Sequence, residues 1–131
     1  MKKFLILLIF TYLSGQDGLP PFEFRIIDTF VNDDNKVTIQ LLNNSKRTIS
    51  FLEGFVNISK PGEGIIKEIR LTLVENSEPA LGHGELRSRS VKFKNVSKEF
   101  YTHNFQIAKL KFSEDHRYYT WHPSIGFIRI D

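Results

Sequence analysis

The chain has 131 residues, 40% of them hydrophobic and 25% charged, with 18 basic and 15 acidic side chains and no cysteine. This is the composition of a globular domain held by apolar burial, and it excludes a disulfide-stapled scaffold and any cysteine-built metal site. Without Lys2 and Lys3 the balance is 16 basic to 15 acidic residues, or +1. Apart from one basic strand the sequence shows none of the sustained basic face a nucleic-acid binder wants, so no nucleic-acid partner is expected.

Residues 1–15 read as a secretory signal peptide. Lys2 and Lys3 make the basic start, Phe4 to Leu13 an apolar or neutral run, and Ser14-Gly15 the small-residue exit before Gln16. A membrane span needs roughly 20 apolar residues, so the run is too short for an anchor and no transmembrane span is expected in the mature chain. No cysteine follows it, which excludes lipid attachment at that point. The expectation is export, to the periplasm or to an extracellular or envelope-associated site. Residues 16–21 read as a short linker and 22–131 as the folded domain. About 115 residues remain after the signal segment, enough for one domain with a real core and too few for two.

The period is two almost throughout. Phe22, Phe24, Ile26 and Phe30 alternate with Glu23, Arg25 and Thr29; Val37, Ile39 and Leu41 alternate with Thr38 and Gln40. Ile65, Ile69, Leu71 and Leu73 alternate with Glu68, Arg70 and Thr72. One buried and one wet face is the habit of antiparallel sheets. Breakers separate these runs: "NDDN" at 32–35, "NNSKR" at 43–47, "PGEG" at 61–64 and "NSEP" at 76–79. Later strands are predicted over Leu86–Lys94, Phe105–Phe112, Arg117–Trp121 and Gly126–Ile130.

Two strands switch faces partway. Ile49 and Phe51 share one face while Val56 and Ile58 take the other, with Gly54 between; Phe105 and Ile107 give way to Leu110 and Phe112 around Ala108. A β-bulge or a strand changing sheets explains each switch. With no helical period after residue 15, the fold expected is all-β: a single antiparallel β-sandwich, immunoglobulin-like, of about 7–8 strands, with a small barrel as competitor.

Candidate chemistry is sparse. His83, His103, His116 and His122 show no metal-ligand spacing and are expected at loop tips, so no metal is assigned. "HPSIG" has His122 where a G-x-S-x-G motif needs glycine, and no glycine-rich phosphate loop occurs. Asp33-Asp34, flanked by Asn32 and Asn35, offers oxygen ligands for calcium but lacks the register, so a solvated hairpin turn is expected. Glu114-Asp115 is read likewise, as neighbours pointing apart. Glycosylation triplets begin at Asn43, Asn57 and Asn95 and carry little weight in an Asn- and Ser-rich chain. No catalytic residues, cofactor or enzyme activity are assigned.

Two stretches suggest contacts. The strand "ELRSRSVKFKN" carries Arg87, Arg89, Lys92 and Lys94, which suits an anionic partner or an edge strand kept from aggregating by charge, the second being preferred. "RYYTWHP" gathers Tyr118, Tyr119, Trp121 and His122. Alternation puts Tyr119 and Trp121 toward a core and Tyr118 with His122 toward a partner.

"NNSKRTISFLEGFVNI", "ALGHGELRSRSVKF" and "HNFQIAKLKF", in that order, resemble the small immunoglobulin-like modules of bacterial envelope proteins, including the FxLYD type. The resemblance spans about residues 37 to 121. The F-x-L-Y-D stretch is missing, and Leu81-Gly82-His83-Gly84 stands where Pro-Gly is expected. It implies a non-catalytic module for protein contacts, with no site residues to carry over. The expected function is an exported interaction module that binds a macromolecule, foremost a protein, through a sheet face, an edge or a loop end. The alternatives are a carbohydrate-binding module using aromatics near Tyr118–His122 and, more weakly, a hydrolase. The oligomeric state is not legible.

Overall fold

The computed structural model describes residues 22–94, 96, 101–122 and 124–131. The segments read as signal peptide (1–15) and linker (16–21) lie outside the described residues, as does Asn95. The described residues form eight strands and no helix: β1 (Glu23–Val31), β2 (Asp34–Leu42), β3 (Ile49–Lys60), β4 (Gly64–Val74), β5 (Leu86–Phe93), β6 (Thr102–Phe112), β7 (Tyr119–His122) and β8 (Gly126–Arg129). No helix among them is long and apolar enough to cross a membrane.

The strands build two antiparallel sheets, ordered β1-β2-β5 and β4-β3-β6-β7-β8. In immunoglobulin lettering the first sheet is A-B-E. The second is C′-C-F-G with one further strand at its end. The sandwich expected from the two-residue period is the fold observed.

Alternation sets each strand's orientation. β1 buries Phe24 and Ile26, β2 buries Val37, Ile39 and Leu41, and β5 contributes Phe93. From the other sheet come Leu52, Val56, Ile58, Leu73, Leu110 and Phe112, and Leu81 closes one end from the β4–β5 connection. Each such side chain contributes about 1.5–3 kcal/mol on leaving water, and with no disulfide this apolar layer carries the fold. The β1–β2 turn is tighter than "NDDN" suggested. Asp34 and Asn35 already pair with Val31 and Phe30, and Asn32 takes the left-handed conformation (φ 58°) that asparagine tolerates.

The expected face switches are bulges. Pairing between β3 and β6 passes from Glu53↔Lys109 to Gly54↔Ile107, leaving Ala108 as the extra residue. Gly54 is required there, because a Cβ would overlap the backbone oxygen of Gln106 and sit 2.5 Å from the Phe105 ring. A second shift, between Ile49 and Phe51, corrects the sequence reading that put those two on one face. Ile49 is fully buried, whereas Phe51 turns outward.

His103 is not at a loop tip. It lies on β6 opposite Ile58, only 2% exposed, facing the first sheet. Asn35 Nδ2 donates to the Thr29 carbonyl at 3.1 Å, which fixes Asn35 Oδ1 as an acceptor. The His103 Nε2–H therefore donates to it, at 2.8 Å, and Asp28 Oδ2 lies 3.7 Å from the same nitrogen.

Asn43 shows why the "NNSKR" turn has its sequence. Its amide donates to the Arg47 and Leu81 carbonyls, both at 2.9 Å, while its oxygen accepts from Ser45 N at 2.9 Å and Ser45 Oγ at 2.7 Å. Two donors and two acceptor sites are all the side chain has. Asn43 and Asn57 are buried, so neither amide is open to glycosylation in the folded protein.

Candidate functional site

The outer face of the five-stranded sheet carries the densest unexplained chemistry. The shift after Ile49 turns Phe51 onto this face, where its ring meets Tyr118 edge-to-face, centroids 5.7 Å apart and planes at 89°. Lys109 Nζ lies 4.4 Å and Lys111 Nζ 5.7 Å from the Tyr118 centroid, within cation–π range. Register makes this unavoidable, since Phe51 pairs with Lys111 and Glu53 with Lys109. One strand over, the Arg70 guanidinium lies 5.3 Å from the Phe55 centroid and 3.4 Å from Glu53 Oε1, and Thr72 Oγ1 donates to Glu53 Oε2 at 3.2 Å. Phe51, Phe55 and Tyr118 are all half-buried. Three aromatic rings on the solvent side of a sheet, two of them beneath cations, is not how a merely solvated face is built.

The five residues singled out from sequence fall on three different surfaces. Tyr118 belongs to the aromatic face. His122, exposed at the end of β7, takes the Ser124 backbone N–H on Nδ1 at 3.1 Å, a turn contact roughly 13 Å along the strand from Tyr118. Arg87 and Arg89 lie opposite Leu41 and Ile39, so they point along the core side of β5. Glu78 takes both: Arg87 Nη1 at 3.1 Å, and Arg89 Nη2 in a short contact. The Arg89 hydrogen bond, first among its causes, holds the Glu78 carboxyl below its usual range. β5 is an edge strand, so this is the inward-pointing charge that keeps an open edge from pairing with another chain. Lys92 points outward, opposite Lys36, and Lys94 just past the strand is exposed as well.

Glu114 and Asp115, expected to point apart, converge on Arg47. The Nε–Oε2 distance to Glu114 is 2.6 Å and the Nη2–Oδ2 distance to Asp115 is 3.7 Å, while the guanidinium carbon sits 3.7 Å over the Phe112 ring. Asp115 also accepts the Tyr119 hydroxyl, which is the main reason its carboxyl is held low and the phenol high. His103 is about 30 Å away along β6, so these carboxylates and that imidazole do not meet. Among the described residues, no cluster of three or more His, Asp or Glu could hold a metal ion.

Trp121 and Tyr119 diverge. Tyr119 packs on the core cluster. Trp121 is half-buried at the rim, edge-on to Phe127 with centroids 4.8 Å apart and planes at 73°. Sequence reasoning missed Phe51, Phe55, Lys109 and Lys111. The alternation of "AKLKF" did put both lysines opposite Leu110, and only the shift after Ile49 hid Phe51. Compared with models of protein families, with curated proteins and with solved structures, the chain has no match.

Proposed function

We propose that this chain is an exported, non-catalytic interaction module that docks another protein on the outer face of its five-stranded sheet. Export rests on the basic, apolar and small-residue order of residues 1–15. Docking rests on one observation above all: the Phe51–Tyr118 pair in partial solvent contact, with Lys109 and Lys111 over the Tyr118 ring. Aromatic side chains ringed by polar ones are where binding free energy concentrates in protein interfaces. The lysines stack on a ring rather than pair with carboxylates, which fits an acidic stretch on the partner.

The glycan alternative asks for two coplanar exposed rings. The paired rings among the described residues lie 45° to 89° apart, so that geometry favours a protein partner. The test is capture from envelope extract with a photo-crosslinking side chain placed at Tyr118 or, on the opposite sheet, at Thr38. A protein crosslinked from Tyr118, absent from Thr38, and lost in a folded Phe51→Ala variant supports the reading. Equal capture from both faces overturns it.

A further inference from the structure

The other sheet has an outer face of opposite character. Register arranges nine of its side chains in three rows across β1, β2 and β5: Arg25–Gln40–Ser88, Ile27–Thr38–Ser90 and Thr29–Lys36–Lys92. Six of them, Arg25, Thr29, Lys36, Ser88, Ser90 and Lys92, are exposed. The grid spans roughly 13 Å along the strands and 10 Å across them. These nine positions hold three cations and no aromatic ring, the carboxylates Glu23 and Asp34 stand in the flanking rows of the same face, and the centre is a hydroxyl pair, Thr38 Oγ1 and Ser90 Oγ, at 2.7 Å.

Two features of this grid run against stability. Lys36 and Lys92 stand directly opposite one another, an arrangement of like charges that destabilises a sheet. No carboxylate of the described residues comes within 4.0 Å of Lys36, Lys92 or Arg25. Among the described residues, exposed cations without a counter-charge occur elsewhere too, at Lys46 and Lys67, but other cations of the two sheets are engaged. Arg87 and Arg89, on the core side of the same edge strand, share Glu78, and Arg70, Lys109 and Lys111 lie over rings. Edge protection is already supplied by Arg87 and Arg89 and does not require a facing lysine pair.

We propose that this face binds an anionic polysaccharide. The Lys36–Lys92 corner takes one acidic group of the polymer and Arg25, at the far end of the grid, another. Ser88, Ser90, Thr29 and Gln40 exchange hydrogen bonds with sugar hydroxyls between them. The other polyanions fit less well. A protein interface wants an aromatic core and single-stranded nucleic acid wants stacking rings, and the grid has neither. A membrane surface wants apolar side chains to insert, and within the grid Ile27 is the one aliphatic residue, half-buried, the exposed Val31 and Leu86 lying at opposite ends of the face beyond it. This surface is separate from the aromatic face, so it stands or falls independently of protein docking there.

The test is calorimetric titration of the protein with dextran sulfate, polygalacturonate and neutral dextran, alongside flotation with anionic phospholipid vesicles. Binding of either charged polymer, absent with neutral dextran, is expected. It should fall at least tenfold in Lys36→Gln/Lys92→Gln and change less than twofold in the charge-matched Lys46→Gln/Lys67→Gln, whose lysines are exposed outside the grid. Which charged polymer binds tells whether the acidic group is a sulfate or a carboxylate. Because the grid variant relieves a repulsion, its melting temperature should not drop, and folding does not confound the result. Absence of binding to both charged polymers overturns the proposal. So does an equal loss in the two variants, which is net charge alone, and so does binding to vesicles but to neither polymer, which assigns the face to lipid.

Discussion

The imidazole of His103, on β6, donates to the side-chain oxygen of Asn35, on β2, at 2.8 Å, joining the two sheets through their buried interior. Asn35 spends its amide on the Thr29 carbonyl at the same time, so one small side chain holds β1, β2 and β6 in a single arrangement. Removing a partner from a buried polar group costs about 1–3 kcal/mol. Asn35→Ala is expected to lower unfolding free energy by that much in urea titrations. A loss below about 0.5 kcal/mol, the scale of a neutral surface change, would show that the interior contact is energetically idle.

Gly54 is constrained differently, by space. The bulge at Ala108 brings the Gln106 backbone oxygen and the Phe105 ring up against the glycine, and backbone cannot yield as a flexible side chain can. Overpacking of this kind costs about 1–3 kcal/mol, so Gly54→Ala should lower the urea midpoint clearly. Gly82→Ala is the control. Its nearest neighbour, Glu85 Oε1, would lie at an ordinary 3.5 Å, and little change is expected. Equal effects from the two would mean that glycine content, not the bulge, decides stability.

The two-residue period made the sandwich legible because each strand here is buried on one side and wet on the other. The bulges were legible too, as breaks in that period around Gly54 and Ala108. The aromatic face was not, because Phe51 reads as core until the shift after Ile49 is known, and a shift of one residue moves a side chain to the opposite face. His103 escaped for a related reason. A single histidine amid polar neighbours, "YTHNF", gives no sign that its partners are Asn35 and Asp28 from the other sheet. Arg87 and Arg89 alternate with serines, so period alone cannot say which set faces inward; their pairing with Glu78 comes from a connection with no period at all.

Acid should loosen the rims before the interior. Glu78, Glu114 and Asp115 are each held below the usual carboxylate range, mainly by hydrogen bonds from Arg89, Arg47 and Tyr119 respectively. A carboxylate with a lowered value in the folded state takes up protons more readily when unfolded. Its contribution is therefore complete above the unfolded value of about 4 and disappears as the pH falls through the folded one. The urea midpoint should be flat from pH 7 to 5 and decline below about pH 4. Glu78→Gln should start lower at neutral pH, with Arg87 and Arg89 left without their counter-charge, and decline less steeply in acid. An unchanged slope would remove Glu78 from the account.

The rim position of Trp121 separates it from the core it adjoins. Its ring packs edge-on against Phe127, which in turn meets Phe112 edge-to-face at 5.6 Å, so the indole extends an aromatic chain outward from the interior. Burying a large aromatic completely makes its removal cost about 3–5 kcal/mol, but Trp121 is half-buried and leaves no enclosed cavity when shortened. Trp121→Ala is expected to fold and to lose about 1–2 kcal/mol, less than Leu110→Ala, which empties a fully enclosed site on β6 at about 2–5 kcal/mol. Circular dichroism melts and urea titrations of the two variants order them directly. As the only tryptophan, Trp121 also reports on itself: native fluorescence should be quenched in part by acrylamide, as a rim indole is. If Trp121→Ala fails to fold, or if the native indole is fully shielded from quencher, the ring belongs to the core and the sandwich closes further out than β7.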